Sequence, residues 1–265
     1  MKLAADAEDQ GRPATACQNA HVTAGPNERR EPREPGEPRE HHLTVQRTAR
    51  YYALGGPSPD VPDDITELWI VCHGYGQLAA PFLASFAGVA TPSRRIIAPE
   101  ALSRFYLDAP SGTPNAERRV GATWMTREDR RAEIADQVAY LDALHEYVRP
   151  PASASRVRLR VFGFSQGVAT VGRWVAYGRV RADQMILWAG AFPPDVDLTS
   201  LADRLAATPV VLVVGSRDEL ASWAGADAQL QRFAAAGIAA RLISFDGGHR
   251  LDNATLAALA GSSGA

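Results

Sequence analysis

Three side chains have the types and positions to work as one unit: the hydroxyl of Ser165, the carboxylate of Asp218 and the imidazole of His249. Together such groups can activate a hydroxyl for attack on a carbonyl carbon. Ser165 lies in Gly163-Phe-Ser-Gln-Gly167, a G-x-S-x-G pattern, after the apolar run Val157, Leu159, Val161 and before a helix-compatible stretch. A strand that turns sharply into a helix pushes the side chain at the bend outward. It also sets that side chain at a helix N-terminus, where unpaired amides favour developing negative charge. Gly163 and Gly167 suit the bend because a Cβ at either would collide with the neighbouring strand and helix. The pattern alone is weak, since Gly and Ser are common residues. Its position between strand and helix, and two partners downstream, give it weight.

Asp218 follows Pro209-Val-Val-Leu-Val-Val-Gly215, a run without polar interruption that reads as a strand buried on both faces. A loop just past the carboxyl end of such a strand is where open α/β sheets place site residues. His249 follows the strand-like Ala240-Arg-Leu-Ile-Ser-Phe245 and the pair Gly247-Gly248. Serine, then acid, then histidine is the chain order of α/β-hydrolases. Each residue also has a plainer role open to it. Ser165 could cap a helix; Asp218 could cap the helix after Gly215-Ser216-Arg217, with Asp246 as a rival acid; His249 could be an ordinary loop histidine.

Acyl transfer also needs two fixed N–H donors aimed at the tetrahedral oxygen, one from the residue after the nucleophile and one from an upstream loop. Leu68-Trp-Ile-Val-Cys72 reads as another buried strand and runs into His73-Gly-Tyr-Gly-Gln77. The candidates are therefore the backbone N–H groups of Tyr75 and Gln166. Gly74 and Gly76 would let the main chain approach the substrate, and His73 is expected to make a structural hydrogen bond.

His-Gly-Tyr-Gly-Gln, Gly-Phe-Ser-Gln-Gly, Gly-Ser-Arg-Asp and Gly-Gly-His together resemble the phospholipase/carboxylesterase family of α/β-hydrolases, which includes the acyl-protein thioesterases. The resemblance runs from about residue 66 to 258. It implies a Ser165, Asp218, His249 triad and hydrolysis of carboxylic esters, with thioesters or lysophospholipids also within the family's reach. That chemistry needs no cofactor, and no histidine-glutamate zinc motif suggests a metal. The sequence departs from the family at Gln77, often acidic there, and at Val168, often a further Gly. Two other readings stay open: a ligand-binding α/β-hydrolase that does not turn over, and an acyltransferase using the same serine.

The elements that must position these groups alternate as in a doubly wound, mostly parallel sheet with helices on both faces. Strands are expected near 43–53, 67–72, 94–98, 156–162, 184–189, 209–214 and 240–245. Helices are expected near 78–89, 128–148, 166–178, 199–206, 221–236 and 252–260. The second helix carries Ile134, Val138, Leu141, Leu144 and Val148 at helical spacing, and Thr126 is placed to cap it. The stretch 101–125 is too long for a simple connection and reads as a lid-like insertion. It holds Phe105, Tyr106 and Trp124 with Arg104 and Arg119, candidates for an apolar pocket rimmed by arginine.

Composition narrows the field. Residues 1–42 hold 6 basic and 8 acidic residues of the chain's 28 and 30, which leaves 22 of each in 43–265. The tail's run of Glu, Arg and Pro has few apolar side chains to offset ordering entropy, so it is expected to be disordered. The remainder fits one α/β catalytic domain. A neutral body offers no basic face for nucleic acid. Lys2 is the only lysine, which excludes a P-loop and a lysine Schiff base in the body. No stretch is apolar and long enough to span a membrane, and no leader pattern is evident, which points to the cytoplasm. Cys17 and Cys72 are the only cysteines, and an intrachain bridge between tail and buried strand is not expected. The expected partner is a small acyl ester or thioester.

Overall fold

Strand β2 (Glu67–Cys72) shows how the chain builds its sheet. Successive side chains alternate between faces: Leu68, Ile70 and Cys72 enter one core layer, Trp69 and Val71 the other. A strand buried on both faces must lie inside a sheet covered by helices. The computed structural model describes residues 38–56, 65–108, 114–150 and 157–262. It divides into two compact units, Met1–Gln46 and Arg47–Ala265. Most of the tail expected to be disordered lies outside the described residues.

The second unit holds β1 (Tyr51–Gly55), β2, β3 (Arg94–Pro99), β4 (Ser103–Tyr106), β5 (Val120–Thr123), β6 (Arg158–Phe164), β7 (Gln184–Trp188), β8 (Val210–Gly215) and β9 (Ala240–Phe245). Its helices are α1 (Ala79–Ala84), α2 (Arg130–Val148), α3 (Gln166–Tyr177), α4 (Leu198–Leu205), α5 (Trp223–Ala235) and α6 (Asn253–Gly261). The main sheet runs β1-β3-β2-β6-β7-β8-β9, and β1 alone pairs antiparallel. Leu141 of α2, Trp174 of α3, Leu201 of α4 and Phe233 of α5 share one core layer. Phe82 of α1 and Leu256 of α6 share the other. Helices thus cover both faces. Because β2, β6, β8 and β9 run parallel, the loops after Cys72, Phe164, Gly215 and Phe245 all emerge at one rim.

Several expectations need correction. The first strand begins at Tyr51, not 43, since residues 43–50 carry no strand. The insertion contains a two-stranded antiparallel hairpin, β4 and β5, whose four-residue strands are too short to show a period. Thr126 does not cap α2. Its Oγ1 accepts from the Glu128 N–H at 3.1 Å, and Asp129 stands at the N-cap with φ 42°. Ile134 is only half-buried, whereas Val138, Leu141, Leu144 and Val148 are buried.

At the opposite end of the strands, a buried ionic cluster fixes α6. Glu67 pairs with Arg94 and, at 2.8 Å, with Arg160. Arg160 donates to the carbonyls of Leu259 and Ser262 at 2.7 and 2.8 Å, and Arg94 to that of Ala260 at 2.6 Å. The guanidiniums also lie 5.5 and 5.2 Å from the Trp69 ring. Removing Glu67 would leave two cations without their counter-charge in a dry interior. Glu67→Gln is expected to destabilise the fold by about 3 kcal/mol or more, a large share of a typical total. Urea unfolding at neutral pH checks it; a loss below about 1 kcal/mol would show that water already screens the cluster.

Candidate active site

Ser165 sits between β6 and α3 with φ 52° and ψ −116°, a conformation that L-residues rarely adopt. Its backbone is tied down by its N–H, which donates to the Trp188 carbonyl at 2.8 Å. The tight turn requires bare backbone on either side: a Cβ on Gly163 would meet the Gly167 carbonyl, and one on Gly167 would meet the Cys72 carbonyl. Although Ser165 occupies the N-cap of α3, its hydroxyl caps no helix N–H. It faces His249 instead, with Oγ 3.0 Å from Nε2.

The other imidazole nitrogen belongs to Asp218. His249 Nδ1 lies 2.9 and 3.1 Å from the two carboxylate oxygens. With Nδ1–H donating there, Nε2 is left as an acceptor toward the serine hydroxyl. The Asp218 side chain is fully buried and is aimed by its own loop: Oδ1 accepts from the N–H groups of Leu220 and Ala221 at 2.9 and 2.8 Å. Backbone bonds from Ser216 to Phe245 and from Arg217 to Gly247 knit the acid's loop to the histidine's. Trp188 Nε1 donates to the Arg250 carbonyl at 2.9 Å, and the Phe164 ring packs 5.0 Å from the imidazole. The rival acid, Asp246, is exposed and pairs with Arg217. Cys72 is fully buried, and burial pushes its thiol far up in pKa, which keeps it protonated and inert.

The loop after β2 leans on the serine, since a Cβ on Gly74 would lie 3.2 Å from that of Ser165. Its donors are nearly all engaged. Gly74 N–H donates to Gln77 Oε1 at 2.8 Å, Gly76 N–H to the Ala122 carbonyl at 2.9 Å, and Gln77 N–H to the Gly74 carbonyl at 3.3 Å. Among the described residues the N–H groups of Tyr75 and Gln166 have no acceptor. His73 beneath is fully buried. Its Nδ1 donates to the Gly74 carbonyl at 2.8 Å and its Nε2 accepts from Ala101 N–H at 3.1 Å. Burial holds its pKa below the usual histidine value, as suits a neutral brace.

No protein-family model matches the chain, and no curated protein matches it. Solved structures do. The chain is similar to esterase PE8 at 22% identity and TM-score 0.56, with 80% of this chain and 96% of that one covered. It is similar to Zea mays acyl-protein thioesterase 2 at 16% identity and TM-score 0.60, over 80% and 96%. A carboxylesterase from Mesorhizobium loti aligns at 17% identity and TM-score 0.58, over 81% and 95%. The chain has the α/β-hydrolase fold.

In this α/β-hydrolase fold the cavity before Ser165 encloses about 800 Å³. The five residues singled out for substrate binding do not line it. Trp124 is buried in the core, donating from Nε1 to the His73 carbonyl at 2.8 Å with its ring 5.1 Å from the imidazole. Phe105 packs 5.2 Å from the Tyr75 ring, and Tyr106 lies under the Arg118 guanidinium at 4.1 Å. Arg104 pairs with Glu100 and Arg119 with Asp108. The hairpin therefore supports the Tyr75 loop rather than forming the pocket; β5 meets that loop through the Ala122 N–H bond to the Gln77 carbonyl at 3.1 Å. The cavity walls come instead from the end of α1, the turn after it, and α6.

Two side chains that sequence reasoning passed over do structural work here. The Gln77 amide holds Gly74 N–H. The Gln166 amide donates to Thr123 Oγ1 and to the Met125 carbonyl, both at 2.9 Å, and accepts from Trp124 N–H at 3.1 Å. The available signal was the placing of two glutamines beside the motif glycines, where a polar side chain has backbone groups within reach.

Proposed function

We propose that this protein is a serine hydrolase that cleaves carboxylic esters, thioesters and lysophospholipids being alternative acyl donors for the same machinery. The single observation that carries the reading is the continuous chain from a buried carboxylate through an oriented imidazole to a strained serine hydroxyl, at 2.9 and 3.0 Å. His249 Nε2 takes the Ser165 proton as Oγ bonds to the substrate carbonyl carbon. The oxygen, now negative, accepts hydrogen bonds from the unengaged N–H groups of Tyr75 and Gln166. When the tetrahedral species collapses, the bond to the alkoxide or thiolate breaks and His249 passes it the proton. The acyl group stays on Ser165. Water then gives a proton to His249 and adds its oxygen to the carbonyl, and the serine leaves with that proton. Asp218 stays ionised throughout and stabilises the imidazolium.

The five residues first assigned to substrate binding are not part of this reading. No described helix is long and apolar enough to cross a membrane, and the reading calls for a small substrate delivered from solution.

The direct test is acylation. Enzyme quenched in acid during turnover of p-nitrophenyl acetate should carry an acetyl group on the peptide that contains Ser165, after a burst of p-nitrophenol matching the enzyme concentration. Turnover without acylation would remove the covalent route. Acylation that is discharged to an added alcohol in preference to water would make the protein an acyltransferase.

A further inference from the structure

The cavity is larger than a short ester requires, and its excess volume runs in one direction. Beyond His249 it continues between the end of α1 with the turn Ala87–Val89 on one side and the first turns of α6 on the other. Exposed Ala84, Ala87 and Gly88 form the first wall, and Leu251 and Ala257 stand on the second. The floor is apolar and fixed: Phe82, Val89 and Leu256 are buried members of one core layer. Among the described residues no carboxylate side chain lines the cavity. Arg250, which also lines it, is half-exposed and turns to Asp252 at 3.4 Å and to the carbonyls of Leu251 and Asp246.

We propose that this groove seats an unbranched aliphatic chain of the substrate, which makes the protein an esterase selective for medium-chain esters. The inference rests on the serine-hydrolase reading and deepens it. Small side chains on the walls leave room for a chain lying along the groove, whereas larger ones would fill it. An apolar floor rewards each methylene it takes from water. Arg250 stands at the mouth already engaged by Asp252 and by backbone carbonyls, and among the described residues no carboxylate lines the groove to hold a cation along its length. The α6 wall is held from behind by the arginines on its last carbonyls, so the groove is preformed and little ordering offsets the gain. Both ends of an ester offer such a chain, the acyl part and the alcohol part, and the groove begins beside both the oxyanion donors and the proton-bearing histidine.

Two ester series separate these sources: p-nitrophenyl esters from acetate to decanoate, and acetates of straight-chain alcohols from ethanol to decanol. In one series kcat/KM should climb about fourfold per added methylene over the first several members. Gly88→Leu is the informative plug, because a Cβ at Gly88 meets nothing within 4 Å and its backbone is ordinary. Gly88→Leu and, independently, Ala257→Leu should lower the decyl-to-shortest ratio of kcat/KM at least tenfold in the same series. The series that responds identifies the chain. Flat profiles in both series, or plugs that leave the ratio unchanged, would overturn the inference. Calorimetric binding of 1-decanol reads the groove without turnover. Tenfold weaker binding to Gly88→Leu supports it even if every ester is inert, an outcome that would sink the hydrolase reading alone; equal binding by both proteins overturns the groove.

Discussion

Ser165→Ala is expected to lower kcat for p-nitrophenyl butyrate by about 10⁴- to 10⁶-fold and to abolish labelling by a fluorophosphonate. The hydroxyl is the group at the elbow able to form the covalent intermediate, and among the described residues it makes no hydrogen bond other than that to His249. Its removal leaves no cap unsatisfied in α3, because the side chain caps none. The folded structure should therefore survive, and the loss should fall on kcat with little change in KM. What turnover persists would come from the amides of Tyr75 and Gln166 and from substrate binding. Activity within tenfold of the wild type would show that water attacks the ester directly, and the acyl-enzyme would have to be abandoned.

Asp218→Asn should cost about 10⁴-fold in kcat with the backbone undisturbed. An asparagine fits the same space, and its Oδ1 can still accept from Leu220 and Ala221, which now bind the carboxylate at 2.9 and 2.8 Å. Its amide nitrogen would face His249 Nδ1, a donor meeting a donor. The imidazole then moves its hydrogen to Nε2, and the serine proton has nowhere to go. Asp246→Asn is the control, since that carboxylate is exposed and engaged by Arg217; its effect should stay within about twofold. Steady-state kinetics of the two variants decides which acid serves the histidine, and a larger loss in the Asp246 variant would reverse the assignment.

The sequence made most of this arrangement readable where burial left no choice. Leu68 to Cys72 and Val210 to Val214 are apolar without interruption because they are covered on both faces, and such runs end where the site begins. The order of serine, acid and histidine then follows from which loops share a rim. What stayed hidden was set by tertiary contact. The four-residue strands β4 and β5 exist only because they pair with each other. Trp124 looked like a pocket residue because aromatics and arginines gather near it, but its indole N–H is spent on His73 and its ring on the core. The cavity walls owe their openness to Ala84, Ala87, Gly88 and Ala257, small residues that carry no chemical signature in a sequence. Thr126 sits four residues ahead of a helix, Arg130–Val148, whose N-cap is Asp129 instead.

The elbow at Ser165 has one further consequence, for the life of the molecule in heat. A non-glycine residue held in that backbone conformation costs the native state about 1–3 kcal/mol, and neighbouring packing must make up the deficit. A lineage adapting to high temperature could relax this bend only by giving up the aim of the hydroxyl at His249. Its gains in endurance would have to come from elsewhere, such as the ionic clamp behind α6, while the turn at Ser165 stays under tension.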